Sequence, residues 1–282
     1  MFQFDEKRIE EQLNNPNLDL DGLTEKLKTE AKRNTKTEKS MIWKIILYVF
    51  ITIVFTGLLA VFQQKINLNF EKIVLPQLAP TIGILIITLA FNDLRFAVNL
   101  DLNKLIVTKS LLALGIPFLL FTISFFVGKQ FGLGVKLTDD LKNLIPLMFV
   151  GILIGSVGEE IGWRSFLQLT LEKKNTALLA SIIVGTIWGL WHIGHYKNGA
   201  LFMMGFLLFT ISASIIIAWL LRDTKYNLII SVLFHISINL GFLILFKNSL
   251  TDSKLMIING IIWLIPAIGI VLTTGKDLIK TQ

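Results

Sequence analysis

Eight apolar runs, most about twenty residues long, dominate this sequence; they fall at roughly 41–62, 73–92, 110–128, 143–171, 176–195, 201–221, 228–246 and 255–273. A helix needs about 20 consecutive apolar residues to cross a hydrocarbon core some 30 Å thick. Inside lipid every backbone N–H and C=O must be paired within the protein, and for runs of this length the α-helix achieves that. The expected fold is therefore all-α: a polytopic membrane protein of about eight transmembrane helices enclosing an intramembrane polar site. Pro76, Pro80, Pro117, Pro146 and Pro266 lie within these runs, where neighbouring helices can satisfy the backbone groups that proline frees. The fourth run is the longest. Glu159, Glu160 and Arg164 interrupt it, so it has to tilt or project beyond the bilayer.

Composition supports the same class. Of 282 residues 53% are hydrophobic and only 17% charged, too apolar a mixture for the surface of a soluble domain. The charges are clumped, with nine of the 20 acids in residues 1–40. That segment also holds eight Lys and Arg and so carries −1; of the chain's net +7 the remainder therefore carries +8, with its cations in short loops between apolar runs. Membrane orientation accounts for cations so placed, and nucleic acid is excluded as a partner. With eight spans, nineteen Lys and Arg fall on the side shared by the two termini and eight on the other, which puts both termini in the cytoplasm. Residues 1–40 read as a polar cytoplasmic tail, disordered or loosely helical, with a short helix around Leu23–Arg33. Residues 41–282 read as one membrane domain. No cleavable signal peptide is expected, because the start of the chain lacks an apolar core. The chain has no cysteine, which excludes disulfides, thiol nucleophiles and Cys-ligated metals.

After residue 41, Glu159 and Glu160 are the only acids well inside an apolar run. A charge at that depth costs several kcal/mol, about 3 on insertion scales, and marks a functional candidate. In GSVGEEIGWRSFLQ, Glu160 and Arg164 are four residues apart on one helical face and can form an ion pair. Glu159 points about 100° away and is left without a local partner. The three histidines are His192, His195 and His235. His192 lies one turn after Trp188. His195, at the end of its run, reads as a solvated or packed residue. His235 and Asn239 share a helical face, where helix-packing polar contact is the structural alternative. Counting at 1.5 Å per residue from the hairpin around Lys173–Asn175 brings Glu159 and His192 to similar depth. His235 stands only about 12 Å from its cytoplasmic end by that count, so tilt or re-entry must bring it level.

A carboxylate, two histidines and an amide in a shielded cavity suit peptide hydrolysis. Glu159 can take a proton from a water held by His192, while His235 and Asn239 can donate to the oxyanion that develops on the scissile carbonyl. Other intramembrane protease chemistries find no support. No His precedes Glu as H-E-x-x-H requires, no Asp falls inside a run, and Ser156 lacks a Gly-x-Ser context because position 154 is Ile.

At these residues the sequence resembles the CPBP family, the CAAX-processing and bacteriocin-processing intramembrane proteases (also called Abi), related to the type II CAAX prenyl endopeptidase. The family's E-E-x-x-x-R is matched by Glu159, Glu160 and Arg164; F-x-x-x-H by Trp188 and His192, with Trp in place of Phe; and H-x-x-x-N/D by His235 and Asn239. The resemblance covers about residues 143–245. It implies that Glu159 and His192 activate the water, that His235 and Asn239 stabilise the oxyanion, and that Glu160, Arg164 and Trp188 support the site. It further implies a membrane-associated peptide or protein as substrate, in a bacterial cell membrane, with bacteriocin processing or immunity among the roles. The alternative is a non-proteolytic scaffold or immunity protein that keeps the site for packing.

No metal is the expected state of the site. The other reading is zinc held by Glu159, His192 and His235 with an open water position. Against it stand ligands drawn from three helices, without the i, i+4 His pair of a helical zinc site. Asn239 is also a poor zinc ligand, and no carboxylate is in sight to orient His235.

Overall fold

A computed structural model describes residues 20–91, 94, 96, 98–137 and 146–279. The first nineteen tail residues, the ends of two apolar runs at 92 and 143–145, and Arg95, Lys142 and Lys280 of the charge count lie outside the described residues. The chain divides into two compact units, residues 1–47 and 48–282. The first is helical from Leu20 onward, the opening of a helix α1 (Leu20–Lys65). This helix is longer than the short one expected at Leu23–Arg33. Its tail portion, LDGLTEKLKTEAKRNTKTEKS, is rich in Lys, Glu and Leu, all strong helix formers.

The second unit holds the remaining elements. A 3₁₀ turn (Leu75–Leu78) leads into α2 (Ala79–Ala90), followed by α3 (Lys104–Gln130) and α4 (Pro146–Gly162). A single π-helical stretch (Trp163–Gln168) joins α4 to the short α5 (Leu169–Glu172). Then come α6 (Ala177–Trp191), α7 (Ala200–Leu221), α8 (Leu228–Leu245) and α9 (Ser253–Thr274). Four of these begin on side-chain caps: Asn103, Thr176, Asn227 and Asp252 each accept from a backbone N–H in the first turn, satisfying donors that a helix start leaves free.

Among the described residues, six helical stretches are long and apolar enough to cross a membrane: 41–65, 104–130, 146–172, 200–224, 228–245 and 253–274. The second and fifth apolar runs are shorter as helices, Leu75–Ala90 and Ala177–Trp191. Proline explains the first, since Pro76 and Pro80 confine its start to a 3₁₀ turn. At the end of the other, the α-helix stops at Trp191 and His192 leaves helical geometry. The protein is thus an all-α, polytopic membrane protein. Large apolar side chains such as Leu89, Leu272 and Phe131 stand outward, at 84%, 80% and 72% exposed, as lipid permits.

Without a hydrophobic drive between helices in lipid, close packing depends on small residues. Gly205 of α7 and Gly260 of α9 bring those two backbones together, and Gly185 of α6 lies against Ile211 and Thr210 of α7. On α4, Gly151, Gly155, Gly158 and Gly162 form one face against residues 72–80. The opposite flank of α4 meets α8, where Leu228, Val232 and Ile236 pack with Ile152, Val157 and Ile161.

Candidate active site

Glu159 and Glu160 sit at the end of α4, fully buried. Neighbouring positions on a helix point about 100° apart, so the two carboxylates face different partners. Glu160 faces α8. Its Oε1 lies 2.8 Å from His235 Nδ1, and its Oε2 lies 3.5 Å from Arg164 Nε across one turn. Arg164, 2% exposed, rests its guanidinium over the Trp188 ring at 5.2 Å, which adds cation–π attraction to the ion pair.

Glu159 turns the other way and has three donors. Gln77 Nε2 donates to Oε1 at 2.8 Å, and the indole N–H groups of Trp188 and Trp163 donate to Oε2 at 2.8 and 3.4 Å. The expectation of an unpartnered Glu159 is therefore corrected. Trp163 is four residues on, so one partner is local; the others come from α6 and from the 3₁₀ turn before α2. Trp188, the departure from the family's Phe, is a donor that Phe could not replace.

His235 is the histidine nearest Glu159, with Nε2 3.9 Å from Oε1. The depth mismatch counted along the sequence is resolved because α8 packs directly on α4. The second expectation corrected is that no carboxylate orients His235: Glu160 does so, through Nδ1. The ladder has a second rung. Asn239, one turn beyond His235, donates to Ser156 Oγ at 3.4 Å, and Ser156 is one turn before Glu160. Ser156 is fully buried.

His192 caps the C-terminal end of α6. Its Nδ1 lies 2.8 Å from Trp188 O; a carbonyl only accepts, so Nδ1 carries the proton and Nε2 is left as an acceptor. Among the described residues no hydrogen bond or ion pair joins His192 to Glu159 or His235. Trp188 connects them instead, its ring centroid 6.1 Å from His192 and 5.4 Å from His235. His195 is a packed residue, stacked on His192 at 5.6 Å and against Phe206 at 4.6 Å.

No three His, Asp or Glu side chains among the described residues stand as a set that could hold a metal ion. An apolar cavity of ≈ 360 Å³ has walls that include Thr52, Ile53, Trp163, Trp191 and Tyr196; of these, Trp163 also donates to Glu159.

Helices that bury two carboxylates and a histidine among apolar faces, with a second histidine and an amide half-buried nearby, define a class of membrane protein with an ionisable site inside the helical domain. Residues 141–241 match the family model described as Type II CAAX prenyl endopeptidase Rce1-like. Lysostaphin resistance protein A of Staphylococcus haemolyticus (strain JCSC1435) is 30% identical over 222 residues, covering 74% of this chain and 60% of the relative. Lysostaphin resistance protein A of Staphylococcus aureus, strains Newman and USA300, is 28% identical over 222 residues, covering 74% and 52%. The chain thus spans little more than half the length of the curated relatives it matches.

Gln77, Trp163 and Ser156 did not emerge from the motif reading. Gln77 had a signal: it is the one glutamine in the 73–92 run, bracketed by Pro76 and Pro80.

Proposed function

We propose that this protein is an intramembrane endopeptidase that hydrolyses a peptide bond of a membrane-associated peptide or protein without a metal. The observation that carries this reading is Glu159: fully buried, oriented by three N–H donors, and 3.9 Å from the free edge of His235. A structural ion pair accounts for Glu160 and Arg164 but gives Glu159 no role.

In the proposed reaction His192 Nε2 and Glu159 hold a water. Glu159 takes one proton as the oxygen attacks the scissile carbonyl carbon, and the C=O electron pair moves onto oxygen. His235, protonated on both nitrogens and balanced by Glu160, donates from Nε2 to this oxyanion with Asn239. As the C–N bond breaks, Glu159 returns the proton to the leaving amine. The apolar cavity beside Trp163 is suited to a greasy portion of the substrate, and the Lys and Arg bias favours cytoplasmic termini in a bacterial cell membrane.

The name shared by the relatives, a resistance function, supports a second reading: a non-proteolytic membrane scaffold or immunity protein. Peptidomics of cells carrying the wild type or Glu159→Gln separates the two. Peptides that depend on Glu159 uphold the protease. A phenotype complemented equally by both forms, with identical peptide sets, supports the scaffold.

A further inference from the structure

We propose that Gln77, which lies outside the matched family region, is a positioning residue for Glu159. The proposal rests on the reading of Glu159 as the base. Each carboxylate oxygen offers two lone-pair directions. The two indoles occupy Oε2. Gln77 Nε2 takes one direction on Oε1 at 2.8 Å, the oxygen that also faces His235 Nε2. Donors on both oxygens stop the carboxylate from rotating about its terminal bond. The direction left on Oε1 is where a water proton is received.

The surrounding chain fixes Gln77 from several sides. Gln63 of α1 is fully buried and straps the preceding loop: its Nε2 donates to Leu68 O at 3.1 Å and Ile73 O at 2.6 Å, while its Oε1 accepts from Leu75 N at 2.8 Å. Thr81 Oγ1 donates to Gly158 O at 2.6 Å, joining α2 to α4 just before Glu159. A Cβ at Gly155 would overlap the Gln77 carboxamide, and one at Gly158 would meet Gln77 O at 2.8 Å. The glycine face of α4 is thus the recess that lets this turn approach. Pro76 and Pro80 restrict the backbone on either side.

The test uses the full-length protein in detergent with two variants, Gln77→Met, which keeps length but has no donor, and Gln77→Glu, which keeps shape. Two readouts are taken: the infrared carboxylate band of Glu159, isolated as the difference from Glu159→Gln in each background, and cleavage of a quenched-fluorescent peptide ending in a prenylated CAAX sequence. Removing a hydrogen bond to a charged group should lower kcat by about 10- to 100-fold, with KM little changed because substrate binding is not the target. The Glu159 band should move in Gln77→Met. In Gln77→Glu, a protonated side chain can again donate, so its activity relative to Gln77→Met should rise as pH falls. An unmoved band, or a kcat within about twofold of wild type, overturns the proposal. If Gln77→Met does not fold, the same readouts on Gln77→Glu decide. If the wild type leaves the reporter uncut, that sequence is not a substrate, and the band alone still decides for or against Gln77.

Discussion

Glu160 provides the sharpest energetic test, because one carboxylate serves two groups. Its Oε1 holds His235 Nδ1 at 2.8 Å, and its Oε2 balances Arg164 at 3.5 Å. Glu160→Gln preserves size and an acceptor for His235 but removes the charge. Arg164 is 2% exposed, and breaking a buried pair from one side costs about 3–5 kcal/mol. The Trp188 face at 5.2 Å and the neighbouring Glu159 retain part of the attraction, so the lower half of that range applies. At about 2–4 °C per kcal/mol for a chain of this size, the melting temperature should drop by roughly 10 °C. Unfolding is followed by intrinsic fluorescence in detergent at one fixed heating rate, because membrane proteins often unfold irreversibly. Cleavage is measured well below every transition.

The double variant Glu160→Gln/Arg164→Met separates stability from chemistry. Removing both charges together should return most of the lost stability. It should not restore cleavage, because His235 still lacks an anionic partner. An unchanged melting temperature for Glu160→Gln would refute the claim that Arg164 depends on this carboxylate. Recovery of both stability and cleavage in the double variant would refute its role in orienting His235.

Glu159→Gln, His192→Ala and His235→Ala should each abolish cleavage while insertion and purification stay normal; cleavage at the wild-type rate by Glu159→Gln removes it as the base. Reporter fusions at the tail and after Gln282 should both signal from the cytoplasm, whereas termini on opposite sides would break the eight-span reading. Elemental analysis of purified, active protein should find no stoichiometric zinc, and prolonged chelation should leave cleavage intact. Activity lost on chelation and restored by zinc would make Glu159, His192 and His235 ligands.

The sequence made the helices legible, because apolar runs of a definite length have one structural solution in lipid. It revealed less about how those runs end. Pro76 and Pro80 shorten the second, and His192 leaves the fifth helix after Trp191; a hydropathy run does not register either event. The partners of Glu159 were hidden for another reason. Helical spacing exposes contacts within one helix, such as Glu160 with Arg164, but Gln77 and Trp188 are 82 and 29 residues from Glu159. Contacts of that kind follow from which helix packs against which. Even the local Trp163 was overlooked, because an indole in an apolar run reads first as packing.

The family motifs also take on a packing meaning. Glu160 and Ser156 lie four apart on α4, and His235 and Asn239 lie four apart on α8. One turn on each helix carries the chain from the first rung, Glu160 with His235 at 2.8 Å, to the second, Ser156 with Asn239 at 3.4 Å. The four-residue spacing of H-x-x-x-N is thus the repeat needed for two polar groups on α8 to meet two on α4, while Leu228, Val232 and Ile236 pack on Ile152, Val157 and Ile161. Slipping α8 by one residue would turn His235 about 100° away from Glu160 and leave a buried carboxylate without that donor. The apolar seam therefore sets the register, and the polar rungs penalise departures from it. This is why side chains from separate spans can be held to hydrogen-bond distances inside a bilayer.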